Sequence, residues 1–251
     1  MNCKNCETLL KETDLFCSVC GGKIIKNRLT IANLFSHFSE QFLNYDNRFI
    51  QTLIKLFTDP VDVIDGYIKG VRKKYVNVIS YFAIALTLSG FQMFFINKFF
   101  PELMNMDAPD PKGMEGFQQK NMDFLSEYQG LIYMALVPLY AIISRITFFN
   151  YKTYNYTEHV VINMYISAQA AIVSTIIILI SALTNLNILV ITFILLPLQA
   201  LYSAYSFKKL YQLNFKSILL KFILFLLILI LLIVVCIILT LIVVLIIKQY
   251  Y

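Results

Sequence analysis

Four cysteines near the start of the chain have the spacing of a metal site. Cys3 and Cys6 form one Cys-x-x-Cys pair, and Cys17 and Cys20 form a second pair after ten intervening residues. Each pair delivers two thiolates to one side of a tetrahedral ion, and four thiolates complete the coordination of a structural zinc site. Because catalytic zinc keeps an open position for water or substrate, we expect these residues to bind Zn²⁺ structurally.

The residues around these pairs predict a small zinc ribbon over residues 1–24. Gly21 and Gly22 follow the second pair, where a positive φ helps the backbone to pass beneath the sulfurs. We expect Leu15 and Phe16 to cover the metal on one side. A head of this size has no core of its own, so metal binding would supply most of its folding free energy. A redox dithiol or a disulfide pair is the alternative.

The rest of the chain is more apolar than a soluble protein. Hydrophobic residues make up 59% of the sequence, against roughly 45–50% in soluble domains. They are concentrated in runs of about 20 residues, the length that crosses a bilayer core. We therefore expect an all-α polytopic membrane protein whose transmembrane domain covers residues 76–251. The expected spans are residues 76–96, 131–149, 160–183, 186–205 and 222–247.

Residues 25–75 connect the predicted ribbon to the first span. They begin as a basic linker and continue with apolar residues at spacings of three and four, which is typical of amphipathic helices. A break is expected at Asp59-Pro60, because proline disfavours α geometry in the residue before it. The helices are expected to lie along the membrane surface or to pack on the bundle; a small soluble helical subdomain is the alternative.

The placement of charge predicts the orientation of the chain in the membrane. Three segments that would face one side are rich in Lys and Arg, whereas the loop 97–130 is net acidic; the basic segments are 72–75, 145–159 and 206–221. The positive-inside rule then puts the N-terminus in the cytosol and the C-terminus outside. No apolar run typical of a signal peptide occurs in the first 30 residues. A reducing cytosol also favours metal-binding thiols over disulfides.

The basic triplet Arg72, Lys73 and Lys74 stands directly before the first span, where it is expected to contact anionic lipid headgroups. Segregation of charge by segment follows the membrane topology and does not indicate a nucleic-acid footprint. We therefore expect membrane lipid as a partner and no nucleic acid.

Polar side chains inside the spans are the remaining candidates for a site. Asn163 and Ser167 share one face of the third span, and Gln199 lies in the fourth. Polar groups in lipid often mark functional sites, although hydrogen bonding between packed helices is the simpler explanation. Glu158 and His159 stand near the predicted inner surface, where snorkelling or an interfacial ion pair would account for them.

The stretch TLIKLFTDPVDVIDGYIKGVRKKY at residues 52–75 stands between the cysteine-rich head and the first span. With that head, it resembles a family of uncharacterised bacterial membrane proteins, which join an N-terminal short zinc ribbon to a multi-helix membrane domain of unknown function. The resemblance implies this architecture and a location in a bacterial cytoplasmic (inner) membrane, and it implies no activity. The first cysteine pair, Cys-Lys-Asn-Cys-Glu, lacks the proline and glycine that such ribbons often carry.

Two functions agree with this sequence. In the first, the zinc ribbon and the basic helices bind a cytosolic protein partner or organise an assembly, which includes a homo-oligomer. In the second, the chain is an oligomeric channel, pore or transporter with the ribbon as a regulatory cap; similar residues around Pro138 and Pro197 in two spans favour this alternative. The sequence carries no catalytic motif that we recognise, so we expect binding rather than enzymatic chemistry.

Overall fold

The computed structural model of the chain divides into two compact units, Met1–Asn47 and Arg48–Tyr251. It describes residues 2–3, 5–11, 13–21, 24, 48–100, 103, 124, 127–184 and 186–250. Most of the predicted basic linker and the first part of the predicted amphipathic segment, residues 25–47, lie outside the described residues.

In the second unit, the described residues form seven helices and no strand. The helices are α1 Arg48–Thr58, α2 Pro60–Ile68, α3 Val78–Phe99, α4 Gln129–Thr147, α5 Tyr156–Leu183, α6 Ile188–Leu210 and α7 Phe215–Tyr250.

Five of these helices, α3 to α7, are long and apolar enough to cross a membrane. Their apolar side chains lie on all sides of the helix, which is typical of helices surrounded by lipid and by other helices. The prediction of an all-α polytopic membrane protein with about five spans is thus confirmed for the described part of the chain.

Asparagine side chains cap the N-termini of four of the long helices, at Asn77, Asn155, Asn187 and Asn214. Asn77 accepts a hydrogen bond from the Ser80 amide at 2.9 Å, so α3 begins at Val78 rather than at 76. Asn214 caps α7 in the same way, so α7 begins at Phe215, seven residues before the predicted start of the span at 222. Hydropathy marks the apolar part of a helix, whereas the cap sets its first residue.

The predicted break at Asp59-Pro60 is confirmed. α1 ends at Thr58, and Pro60 is the first residue of α2. Proline suits this position because the first amide of a helix has no intrahelical partner and the ring fixes φ near the helical value. The two short helices are therefore separate elements with Asp59 alone between them.

α1 presents three different faces around its axis. With 3.6 residues per turn, its side chains divide into three sectors of about 120° each. The sector against the other helices contains Phe49, Thr52, Leu53 and Leu56, an exposed apolar sector contains Ile50, Ile54 and Phe57, and a polar sector contains Arg48, Gln51, Lys55 and Thr58. A helix at the boundary of protein, lipid and water needs this pattern.

Tyrosines of α6 hold the end of α1. The Tyr202 hydroxyl donates to the Leu56 carbonyl oxygen and the Tyr205 hydroxyl to the Thr58 carbonyl oxygen, each at 3.1 Å. The last four carbonyls of a helix have no intrahelical donor, so these hydroxyls fill vacant acceptors. α1 is thereby fastened to the bundle by its own C-terminus.

α5 is the central helix of the unit and contacts α1, α2, α3, α4 and α6. Its Gln169 is completely buried and joins two of these neighbours. The amide donates to the Leu53 carbonyl oxygen of α1 at 2.9 Å, and the amide oxygen accepts a hydrogen bond from the Tyr81 hydroxyl of α3. The three helices therefore meet at one polar side chain within an apolar core.

Candidate metal centre and membrane-embedded cavity

The four predicted metal ligands converge in the first unit. The Sγ atoms of Cys3, Cys6, Cys17 and Cys20 all lie within 4.8 Å of one another. Cys3 Sγ is 3.6 Å from Cys20 Sγ, and Cys6 Sγ is 3.5 Å from Cys17 Sγ. A tetrahedral ion with metal–sulfur bonds of about 2.3 Å separates its sulfurs by about 3.8 Å. The donor set and the spacing therefore fit a metal ion held by four thiolates.

The two cysteine pairs have matching backbone turns. The Glu7 amide donates to the Cys3 carbonyl oxygen, and the Gly21 amide donates to the Cys17 carbonyl oxygen, both at 2.9 Å. Gly21 has a φ of 68°, as the sequence predicts, and Glu7 has a φ of 59°. In the first pair, Glu7 therefore adopts a left-handed backbone conformation, which is strained for a residue with a side chain and unstrained for glycine.

Hydrogen bonds to sulfur favour the thiolate forms. The backbone amides of Asn5 and then Cys6 lower the pKa of Cys3. The hydroxyl of Thr8, followed by its backbone amide, lowers the pKa of Cys6 to about 6. Because thiolates rather than thiols bind metal, these groups prepare the site at neutral pH.

The predicted apolar cover of the metal site is wrong. Leu15 and Phe16 are 73% and 51% exposed. Leu10 is buried together with Cys3 and Cys17, and the partly buried Ile24 packs against this cluster. The bridge between Asn2 and Leu9 turns Leu10 inward, because side chains alternate along an extended segment. That pairing was not visible in the spacing of the cysteines.

The basic triplet before α3 has partners within the protein. Lys74 Nζ contacts both carboxylate oxygens of Asp62 at 2.9 and 2.7 Å, and the Tyr75 hydroxyl donates to the same carboxylate at 2.5 Å. The Arg72 guanidinium lies 4.2 Å from the centre of the Tyr67 ring. The predicted lipid contact thus competes with internal contacts at two positions of the triplet, and Lys73 is exposed.

The contacts of Asp62 shift the pKa values of both members of its ion pair with Lys74. The hydrogen bond from Lys74, and then that from Tyr75, lowers the pKa of Asp62. The same hydrogen bond raises the pKa of Lys74. Both shifts favour the charged pair, which connects α2 to the segment before α3.

The three predicted intramembrane polar residues line one cavity. Asn163 and Ser167 of α5 and Gln199 of α6 border a space of about 310 Å³ between α4, α5, α6 and α7. Most of the lining is apolar, and Lys221 of α7 is the charged residue in it. The volume is at the lower end of the range for small-molecule sites.

The amides of the cavity are held in place by neighbouring hydroxyls. Asn163 Nδ2 donates to Ser144 Oγ at 3.0 Å and to the His159 carbonyl oxygen at 2.8 Å. Gln199 Nε2 donates to Ser174 Oγ at 2.8 Å. Hydrogen bonds of this kind join packed helices, so part of each amide's role is structural.

The explanation of His159 as an interfacial side chain is wrong. His159 is completely buried, with Nδ1 2.9 Å from Ser144 Oγ and Nε2 2.9 Å from the Tyr211 hydroxyl. Glu158 forms a capping box with Asn155 instead of an ion pair, and this box starts α5 at Tyr156, four residues before the predicted span. The partners of His159 come from α4 and from the turn after α6, so they could not be predicted from the local sequence.

One family model matches the chain. Its description is "Protein of unknown function (DUF3667)", and the match covers residues 46–90. This range includes α1, α2 and the first part of α3, and it contains the stretch that carries the sequence resemblance. No curated protein and no solved structure matches the chain. Over its described residues, the chain is thus an all-helical membrane-like protein with five long apolar helices and a four-cysteine cluster. Over residues 46–90 it is similar to that family.

Proposed function

We propose that this protein docks a cytosolic protein partner at the membrane through a zinc-held head. The observation that supports this function is the convergence of four cysteine sulfurs within 4.8 Å. Four thiolates fill a tetrahedral shell, so a bound Zn²⁺ would have no open position for substrate. The metal would then stabilise a binding surface, and the function would be binding rather than catalysis.

The head has apolar side chains that it does not bury. Leu9, Leu15 and Val19 are 84%, 73% and 68% exposed within this unit. Three large aliphatic groups on so few residues are unusual for a surface that contacts only water. They suit a partner that offers an apolar surface, such as another cytosolic protein; a second copy of this chain is the alternative occupant.

The orientation belongs to the same proposal. Basic residues concentrate in the segments 72–74, 145–152 and 208–221. Contacts such as that between Tyr154 and Asp65, at 3.1 Å, bring the α5 start close to α2. The positive-inside rule would place this end of the bundle, and the N-terminus, in the cytosol of a bacterial cell.

Photo-crosslinking on the full-length protein tests the docking function. A photoreactive amino acid at Leu9 should give a discrete protein adduct in membranes. The adduct should disappear in the double variant Cys17→Ser/Cys20→Ser, which loses zinc, and in Leu15→Ser/Val19→Ser, which keeps zinc. Zinc per chain and membrane insertion are measured on the same samples.

Two results would contradict the proposal. Persistence of the adduct in the zinc-free variant would show that the metal-held shape is not needed. An adduct unaffected by Leu15→Ser/Val19→Ser would show that the apolar surface is not the contact. If the crosslinked protein has the mass of a dimer of this chain, the partner is a second copy.

A channel or transporter is the second candidate. The observation that favours it is that Asn163, Ser167 and Gln199 line the same cavity. Flux of ions or small solutes into reconstituted vesicles would be compared with Asn163→Leu and Gln199→Leu. Flux no greater than in empty vesicles under all imposed gradients would eliminate this candidate.

A further inference from the structure

The cavity between α4, α5, α6 and α7 contains one charged side chain, Lys221, and its walls are otherwise mostly apolar, with a few uncharged polar groups. Tyr140 of α4 and Phe225 of α7 form part of the wall, with their ring centres 6.4 Å apart. Lys221 lies at the end of the bundle where α4 ends, because its Nζ donates to the Thr147 carbonyl oxygen at 2.7 Å. The cavity is therefore amphipathic along its length.

Lys221 keeps donors for another molecule. An ammonium group has three N–H donors, and the Thr147 carbonyl accepts from one. The rings of Phe148, Phe149 and Tyr151 lie 5.6–5.9 Å from Nζ, within the distance of a cation–π contact. Among the described residues, no carboxylate forms an ion pair with Lys221. The charge of this lysine is thus stabilised by rings and a carbonyl without being neutralised.

The cavity also reaches the surface of the bundle. Leu196 of α6 and Leu226 of α7 line it and are 60% and 37% exposed. In a membrane, the surface between these two helices faces lipid, so the molecules nearest to the cavity are acyl chains rather than water.

We propose that this cavity binds an anionic phospholipid, with one acyl chain between α6 and α7 and the phosphate at Lys221. The apolar walls match the chain, and the single unneutralised cation matches the headgroup. Asn163, Ser167 and Gln199 would contact the polar glycerol region or fix the helices around it. This inference depends on the membrane domain alone and stands independently of docking by the head.

Native mass spectrometry of the full-length protein in a mild detergent tests the site. The protein is incubated with phosphatidylglycerol or phosphatidylcholine of the same acyl chains. We expect retention of one phosphatidylglycerol with about tenfold preference, because phosphatidylcholine carries a quaternary ammonium beside its phosphate that is repelled by Lys221, whereas phosphatidylglycerol carries no cation. Lys221→Gln should remove the preference. The matched control Lys216→Gln, an exposed lysine on the same helix, should keep it.

Filling the cavity gives a second, charge-independent readout. Ala170 lines the space, so Ala170→Phe should abolish binding of both lipids. Ser203→Leu, at another lining position, replaces it if Ala170→Phe does not fold, as judged by circular dichroism. Equal retention of the two lipids by the native protein, equal losses in Lys216→Gln and Lys221→Gln, or full binding by the filled variant would overturn the proposal. Retention of a free fatty acid in place of phospholipid would also overturn it.

Discussion

Replacing Gln169 by leucine tests how α1 and α3 are held to α5. The substitution keeps most of the buried volume and removes two hydrogen bonds, one to the Leu53 carbonyl oxygen and one from the Tyr81 hydroxyl. Leu53 would still have its intrahelical donor. Tyr81 is itself completely buried, so its hydroxyl would be left without an acceptor.

The expected loss of stability follows from that unsatisfied hydroxyl. A buried polar group without a partner costs about 1–3 kcal/mol, whereas hydrogen bonds between membrane helices average about 0.6 kcal/mol. We expect Gln169→Leu to lower the free energy of unfolding by about 2 kcal/mol. Tyr81→Phe should lower it by about 1 kcal/mol. The double variant should lose less than the sum, because an apolar pair leaves no orphaned group.

The measurement is a double-mutant cycle by reversible unfolding in mixed micelles, with amide hydrogen exchange of α1 as a local readout. Gln199→Leu is the matched control, since the amide that it removes donates its hydrogen bond to Ser174 of α5 and not to a carbonyl of α1. Exchange in residues 48–58 should be faster in Gln169→Leu and unchanged in the control. Additivity within about 0.5 kcal/mol, together with unchanged exchange, would refute the reasoning.

Three further predictions concern the head and the basic segment. Cys17→Ser should abolish stoichiometric zinc, measured by elemental analysis, and leave the apolar helices inserted. Gly21→Ala should weaken zinc binding about fivefold in a chelator competition, because left-handed backbone costs a side-chain-bearing residue about 1 kcal/mol; Glu7→Gly should strengthen it by no more than that factor. Asp62→Asn should lower the melting temperature at neutral pH. Because Lys74 depresses the carboxylate pKa, this difference is present above the unfolded pKa near 3.8 and should disappear as the pH falls through the lower native value.

Each of these predictions has a contrary result. Full metal content in Cys17→Ser would mean that three thiols suffice. Unchanged affinity in Gly21→Ala would mean that the turn does not hold its left-handed geometry in solution. A stability difference for Asp62→Asn that does not vary with pH would mean that packing, rather than charge, is responsible.

Features of the fold could be predicted where a local pattern in the sequence indicates them. Cysteine spacing predicted the cluster, hydropathy predicted five long helices, and Pro60 predicted the break between α1 and α2. Helix starts were predicted less well, because hydropathy does not register caps such as Asn77 and Asn155.

The contacts between helices could not be predicted in the same way. Asn163, Ser167 and Gln199 do line one cavity, but nothing in the sequence places Lys221 beside them. In the sequence, Lys221 is only the charged residue directly before the apolar run that begins at Phe222. The burial of His159 and of Leu10 likewise depends on residues that only folding brings close. Hydrophobic periodicity in the sequence does not indicate such contacts.

The way in which α1 is fastened also has a consequence for biogenesis. Tyr202 follows Leu56 by 146 residues. At about 5–20 residues per second, the hydroxyl is synthesised about 7–30 s after the carbonyl that it will meet. During that interval α1 lacks these hydroxyl donors, and its terminal carbonyls are bonded to water or headgroups. Because α1 has both a polar and an apolar outer face, it can lie at the bilayer surface during this time. Its packing against the bundle is complete only after α6 has been synthesised.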